Sequence, residues 1–414
     1  MVGFLDADGG WSRGLRITTA WERSVVAPGA ETHLLVRVEA AASPPQGRRS
    51  PIDVAFVLDR SGSMRGEPLA LAKQAVMQAC RRLRPEDRVA LALYSDETEL
   101  ALPLVPATPT AMAAIRAALV EAQAGGGTDL AAGWLAGCAQ LTAPAGAEAD
   151  RRVRRAVLLS DGHANVGLCD PGELIRRADS LRRRGVSTTT LGLGLGFDEL
   201  LLSAMAEAGG GNFQFAAEPD QLRVFFDEEI RELARTVAAR TTLRLDCPSG
   251  FYVDPLSALP TKRRGSVWTI DVGDVPAGAR VDVVFQATAP DAHPGDRFPP
   301  LLTARWTTPG ADRRTEAVTI EPLTIASRTV AARVIPNALV KERAALQRAA
   351  SDRRRALELL RAGKASEARQ AAHAACDRLF GLAPTEALAA DLQLSLDLAQ
   401  AAAQRTVDER LRKE

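Results

Sequence analysis

"IDVAFVLDRSGSMRG" (residues 52–66) opens with an almost unbroken apolar run and ends in a turn that carries Asp59, Ser61 and Ser63 at alternate positions. A run that is apolar on both faces reads as a strand buried on both sides, as in a parallel sheet covered by helices. In an extended turn, residues two apart point the same way, so Asp59, Ser61 and Ser63 converge at the C-terminal end of that strand. Open α/β sheets bind ligands at this edge. Three clustered side-chain oxygens beside a core are costly unless something satisfies them. They suit a hard cation such as Mg²⁺, which prefers octahedral oxygen coordination at about 2.0–2.1 Å and keeps some of its waters.

The residues downstream alternate between two periods. Helical spacing over 67–83 is followed by a strand at 88–95, helices at 110–122 and 130–141, and a strand at 154–162. A helix at 171–185, a strand at 186–194, a helix at 198–209, a short strand at 211–216 and a helix at 218–237 complete the series. Alternating strands and helices predict a doubly wound, mostly parallel sheet covered on both faces. In the last helix, Leu222, Phe225, Phe226, Ile230 and Leu233 recur at three and four, which gives it one apolar face for the sheet. Two segments add candidate oxygen ligands: "GGGTDL" (125–130) presents Thr128, and "LLSDGHAN" (158–165) presents Asp161 just after a strand. Asp129 reads as the cap of the helix that begins at Leu130. His163 reads as a bystander near the same rim.

The DxSxS pattern in "DRSGS", a Thr in "GGGTD" and an Asp in "LLSDG", in this order and spacing, resemble the metal-ion-dependent adhesion site of von Willebrand factor A (VWA) domains. The resemblance covers about 51–237 and agrees with the Rossmann-like alternation. It implies that Ser61, Ser63 and Thr128 hold a cation directly or nearly so, and that Asp59 and Asp161 act largely through water. The cation is expected to be Mg²⁺, with Mn²⁺ or Ca²⁺ as substitutes. Two carboxylates leave a divalent ion electrophilic, so a partner's Asp or Glu is expected to complete its shell. The family also implies that ligand capture can shift the last helix along the sheet, and the alternative is that the helix is a fixed strut.

The flanks read as β. "LRITTAW" (15–21) and "THLLVRVEA" (32–40) precede the alternating region, and strands at 241–247, 265–273, 279–289, 300–308 and 315–322 follow it. Two strands are too few to be stable alone, so residues 1–50 are expected to join residues 238–327 in a β-sandwich. The α/β unit of 51–237 is then inserted in that sandwich or flanked by it. This layout is similar to bacterial VWA proteins and inter-alpha-trypsin inhibitor heavy chains. Residues 328–414 are rich in Ala, Leu and Arg at helical spacing and predict a hairpin or three helices, broken at Gly363 and Gly381. "ALELLRAGKASEARQAA" (356–372) has the look of one tetratricopeptide helix pair, but a single copy lacks the neighbours such repeats need, so a plain helical hairpin is the favoured reading.

The chain has 414 residues, with 52 Lys plus Arg against 51 Asp plus Glu, a formal charge of +1. This balance argues against a dedicated nucleic-acid binder. The basic clusters at 151–155, 182–185, 262–265 and 353–355 read as solvated faces. Five dispersed cysteines without CxxC spacing suggest neither a zinc site nor disulfides, and point to a reducing cytoplasm. No apolar run approaches the roughly 20 residues of a membrane helix, and the N-terminus does not read as a signal peptide. "DADGG" (6–10) lacks the closing Glu of a calcium loop, and "GLGLGF" (192–197) is not GxGxxG. Nothing pairs a nucleophile with a base. Two functions therefore stand: a non-enzymatic, cation-dependent protein-binding module, or a hydrolase whose cation activates water. By resemblance, partners of the first include AAA+ ATPases, kinases or other machinery.

Overall fold

The structure is a computed structural model that describes residues 14–42, 51–142, 152–161, 164–193, 198–216, 219–308, 313–382 and 385–411. Three strands come first: β1 (Leu15–Trp21), β2 (Val25–Val26) and β3 (Glu31–Ala40). The α/β region follows as β4 (Ile52–Asp59), α1 (Glu67–Cys80), β5 (Arg88–Tyr94), β6 (Thr98–Pro106), α2 (Pro109–Glu121) and α3 (Leu130–Leu141). It continues with β7 (Val153–Ser160), α4 (Pro171–Arg183), β8 (Ser187–Leu193), α5 (Glu199–Gly209), β9 (Gly210–Ala216) and α6 (Pro219–Ala234).

Its sheet has the order β6-β5-β4-β7-β8-β9. Every neighbouring pair is parallel except β5 and β6. Strand β4 is central and buried throughout. Its alternate residues feed two cores, as strand geometry requires. Ile52, Val54, Phe56 and Leu58 pack with α1, α2 and α6, whereas Ala55 and Val57 pack with α3, α4 and α5. Strand β6 is absent from the sequence reading because Pro103 interrupts its pattern. It is an antiparallel edge strand, where a proline is tolerated.

The basic cluster at 151–155 is not a solvated face. Arg154 and Arg155 are buried within β7. Arg152 Nε lies 2.6 Å from an oxygen of the fully buried Asp53, whose carboxylate also accepts from Arg88. Arg155 Nη1 lies 3.5 Å from Glu229 Oε1 of α6. The Glu229 carboxylate also accepts from Thr189 Oγ1 at 2.6 Å and Asn212 Nδ2 at 2.8 Å. Cations in a strand need buried acids opposite them, and those acids are remote in sequence.

The helix that presents Glu229 buries Phe225, Phe226, Ile230 and Leu233 against the sheet. The Leu222 side chain lies outside the described residues. Phe226 meets Phe56 of β4 edge-on, with centroids 6.3 Å apart. Strand β10 (Thr236–Asp246) follows α6 almost immediately. Strands β11 (Tyr252–Pro255), β12 (Thr261–Arg264), β13 (Val267–Pro276), β14 (Arg280–Thr288), β15 (Arg297–Phe298), β16 (Leu301–Thr307), β17 (Arg313–Val318) and β18 (Leu323–Ile325) follow.

Two antiparallel sheets face each other, β1-β3-β14-β11 and β12-β13-β10-β16-β17. Strand β3 lies between β1 and β14, in register from Glu31–Thr288 to Glu39–Arg280. Leu34, Val36 and Val38 of β3 share one core with Leu243, Ile270, Phe285 and Trp306. The α/β region is thus inserted between β3 and β10 of a sandwich. A small sheet, β15-β18-β2, closes one end.

The C-terminal part forms α7 (Arg328–Ala331), α8 (Ala338–Arg361), α9 (Ala365–Leu379) and α10 (Glu386–Leu411). Breaks fall at Gly363 and Gly381, both at positive φ. Leu357 of α8 and Leu396 of α10 are exposed. Helix α8 lies on the outer face of the β1-β3-β14-β11 sheet, where Val340 and Ala344 cover Leu35 and Val284. No helix among the described residues is long and apolar enough to cross a membrane.

The Arg155–Glu229 pair ties α6 to β7. Removing one member of a buried pair typically costs about 3–5 kcal/mol, because the other is left uncompensated. Glu229→Gln is therefore expected to lower the unfolding free energy by about that amount. Urea titration followed by circular dichroism measures it, and a loss below about 1 kcal/mol would show the network to be dispensable.

Candidate functional site

Strand β4 delivers Asp59 to the C-terminal edge of the sheet. The Ser61 N–H donates to Asp59 Oδ1 at 2.8 Å, which folds the chain back into a 3₁₀ turn over Gly62–Met64. Fully buried Met64 anchors that turn in the core. Within it, Ser61 Oγ and Ser63 Oγ stand 3.1 Å apart. Asp59 and Ser61 are buried, and Ser63 is exposed.

The glycine-rich loop is stitched to this turn. Gly125 N–H donates to Arg60 O at 2.9 Å, and Gly62 N–H donates to Gly126 O at 3.0 Å. Thr128 is buried and clamped from the third loop. Its N–H donates to Asn165 Oδ1 at 2.8 Å, and its carbonyl accepts from Asn165 N–H at 3.1 Å. Asp129 Oδ1 accepts from Ala132 N–H at 2.9 Å, so Asp129 caps α3. Asp161 directly follows β7 and is 8% exposed.

Burial pushes the Asp59 carboxyl up from its usual range. Hydrogen bonds from Ser160 and Ser61 oppose that shift, and the negative charge of Asp161 adds to it. Asp59 Oδ2 accepts from Ser160 Oγ at 2.6 Å and from the Tyr94 hydroxyl at 3.2 Å. Burial and the Asp59 charge hold the Tyr94 hydroxyl well above its usual pKa, so it stays a neutral donor. Two carboxylates and three hydroxyls thus meet at one edge. Among the described residues no group of three His, Cys, Asp or Glu is placed to hold a metal.

The family profile described as von Willebrand factor type A domain matches residues 53–233. Residues 53–233 have the fold of that domain. Domains of this family typically mediate protein interactions. The uncharacterized protein YfbK of Escherichia coli K12 is 26% identical over 270 residues, 63% of this chain and 46% of YfbK. Inter-alpha-trypsin inhibitor heavy chain H4 of Bos taurus is 29% identical over 196 residues, 45% of this chain and 21% of H4. Each match spans less than half of the relative's length. A solved structure titled von Willebrand factor type A from Catenulispora acidiphila superposes with TM-score 0.68 at 19% identity, covering 90% of this chain and 87% of that one. At that identity the likeness is one of fold, and it extends well beyond the A domain.

Within the A domain, the five residues read from sequence lie on three neighbouring loops at one sheet edge. Three further residues escaped that reading. Ser160, Tyr94 and Asn165 hold Asp59 and Thr128 in place through hydrogen bonds across the fold. Ser160 directly precedes Asp161, and Asn165 lies in the same quoted loop, but neither belongs to a spacing that marks its role. Gly162 and His163 lie outside the described residues.

The α3 helix sits close on the sheet because it carries Gly133 and Gly137 where it crosses Tyr94 and Val57. A Cβ at Gly133 would run into the Tyr94 ring, and one at Gly137 into the Val57 side chain. Gly133→Ala gains about 1 kcal/mol of helix propensity. Overpacking costs about 1–3 kcal/mol, and Tyr94 is fully buried, with no room to swing away. The clash is expected to win, lowering the midpoint of thermal unfolding by a few degrees. An unchanged or raised midpoint would show that the ring is free to yield.

Proposed function

We propose that the A domain is a divalent-cation-dependent protein-binding module. Asp59, Ser61, Ser63, Thr128 and Asp161 hold Mg²⁺, with Mn²⁺ or Ca²⁺ able to substitute, and an acidic side chain of a partner protein completes the site. The single observation that carries this reading is the Ser61–Ser63 separation of 3.1 Å beside a buried Asp59. Neighbouring ligands of an octahedral Mg²⁺ with bonds of 2.0–2.1 Å stand about 3 Å apart. The two hydroxyls therefore fit adjacent positions of such a shell with little movement. Asp59 and Asp161 fit as well, since a cation relieves both the burial cost and their mutual repulsion.

In this reading the bound cation supplies a Lewis-acidic position for the partner's carboxylate. Ser61, Ser63 and Thr128 contribute oxygens without cancelling its charge. Asp59 and Asp161 act through water. Ser160 and Tyr94 hold the Asp59 carboxylate by donating to it, and Asn165 fixes Thr128. The sandwich and helices are scaffold or signal output, and a machine such as an AAA+ ATPase or a kinase is a fitting class of partner. Cysteine usage supports a cytoplasmic address. A hydrolase would need a general base beside the metal. Asp129 is engaged as a helix cap, which favours binding over catalysis.

Calorimetric titration with Mn²⁺ and thermal melts in Mg²⁺ test the reading. A cation at 100 times its Kd stabilises the native state by about 2.7 kcal/mol. Wild type is expected to melt higher in Mg²⁺ than in EDTA, and Asp59→Ala is expected to lose both the heat of binding and the shift while keeping its circular dichroism. Equal Mn²⁺ affinity in wild type and Asp59→Ala would overturn the assignment.

A further inference from the structure

The two outer faces of the sandwich are built differently. The β1-β3-β14-β11 sheet carries apolar Leu35 and Val284 outward, and α8 covers them. The β12-β13-β10-β16-β17 sheet carries threonines and cations outward. In its register, Lys262, Thr269, Arg244 and Thr303 form one row across four strands. Arg264 lies two residues along β12 from Lys262, and Arg305 two residues along β16 from Thr303. These side chains line an open groove of about 520 Å³.

Arg244, Lys262, Arg264 and Arg305 are all exposed. None makes an ion pair or side-chain hydrogen bond with a described residue. The acids nearby are engaged elsewhere. Asp246 accepts from Ser266 Oγ at 2.8 Å, Asp271 pairs with Arg182 of α4, and Asp274 accepts from Arg240 N–H at 2.9 Å. The groove therefore holds four cations that form no ion pair with a described residue, with Asp246, two residues along β10 from Arg244, as the flanking acid on this face.

We propose that this groove binds an extended acidic segment of a partner protein. Charge complementarity is the first argument. Spacing is the second: alternate residues of an extended chain repeat at about 6.6–6.8 Å on one face. Lys262 and Arg264 have that same repeat along β12, so alternate Asp or Glu side chains of a parallel-running segment meet them in turn. The threonine hydroxyls between the cations offer hydrogen bonds to the same carboxylates. The lining separates this partner from single-stranded nucleic acid, which binds by stacking bases on aromatic side chains. Among the described residues no aromatic lines this groove. The contact is independent of the cation at Asp59.

Fluorescence anisotropy on the full chain in EDTA tests it, with a labelled dodecapeptide of alternating Glu and Thr as probe. Saturable binding that weakens with salt is expected, and the matching Lys/Thr peptide should not bind. The pair Arg244→Gln with Arg305→Gln should weaken binding by about tenfold, and Arg244→Glu with Arg305→Glu by more. The Gln pair leaves surface packing intact and decides the outcome if the charge reversal impairs folding. Asp59→Ala should bind the probe as wild type does, which separates this site from the metal site. Absence of binding, equal binding by the Gln pair, or tighter binding of oligo-dT or phosphatidylserine vesicles would overturn the proposal.

Discussion

A carboxylate buried at the end of a central strand must have its charge answered by the residues around it, and Asp59 imposes this demand on the A domain. The turn after β4 answers with the Ser61 N–H, the end of β7 with the Ser160 hydroxyl, and the end of β5 with the Tyr94 hydroxyl. Three adjacent strands therefore end in register around one oxygen pair. The glycines of α3 let that helix approach Tyr94, and Met64 pins the turn from below. These contacts satisfy Asp59 only in part, since burial still pushes its carboxyl up. A site that remains short of positive charge after its own donors are used is one in which a cation has the most to gain.

The insertion places the sandwich at the end of the sheet opposite this edge. The chain enters the α/β region at the start of β4 and leaves it at the end of α6, and both points lie on the sandwich side. Arg182 at the end of α4 bonds to Asp271 of β13 there, and the aliphatic part of Arg240 lies against Gly185. Arg240 takes φ 54° at an irregularity in β10, where its N–H donates to Asp274. A non-glycine residue at that angle is uncommon. The surrounding hydrogen bonds hold it there, so the first turn of the returning strand is fixed relative to the domain it has just left.

The sequence made the five candidate ligands legible because they obey local rules: a period-2 turn, a glycine loop, a residue after a strand. The two-faced burial of β4 and the helical breaks at Gly363 and Gly381 were legible for the same reason. Residues whose role depends on partners far along the chain were not. Arg155 looks like part of a surface cluster until Glu229, more than seventy residues on, is folded against it. Tyr94 and Ser160 look like ordinary strand residues until β4 lies between their strands. Strand β6 was missed because an edge position forgives a proline that a central strand would not. The short strands β11 and β12 exist only as additions to the longer β14 and β13.

The distance between the candidate site and the sandwich sets the terms on which they can communicate. Strand β4 has eight residues, a span of about 26 Å at 3.3 Å per residue. Direct electrostatics across that distance exceeds the Debye length of about 8–10 Å at ordinary ionic strength, and solvent screens its exposed part. A message from one end to the other must then be mechanical, and α6 is the element that runs into β10. Sliding α6 by a turn would carry Glu229 away from Thr189, Asn212 and Arg155 together. Leaving that buried pair apart costs about 3–5 kcal/mol, a large share of the roughly 5.5 kcal/mol of differential affinity that moves a two-state equilibrium from 1:99 to 99:1. Capture of one carboxylate at the metal would have to meet this cost as well as displace the packed Phe225 and Phe226. The network around Glu229 therefore favours α6 as a strut, with the A domain and the sandwich presenting their surfaces to a partner in one fixed arrangement.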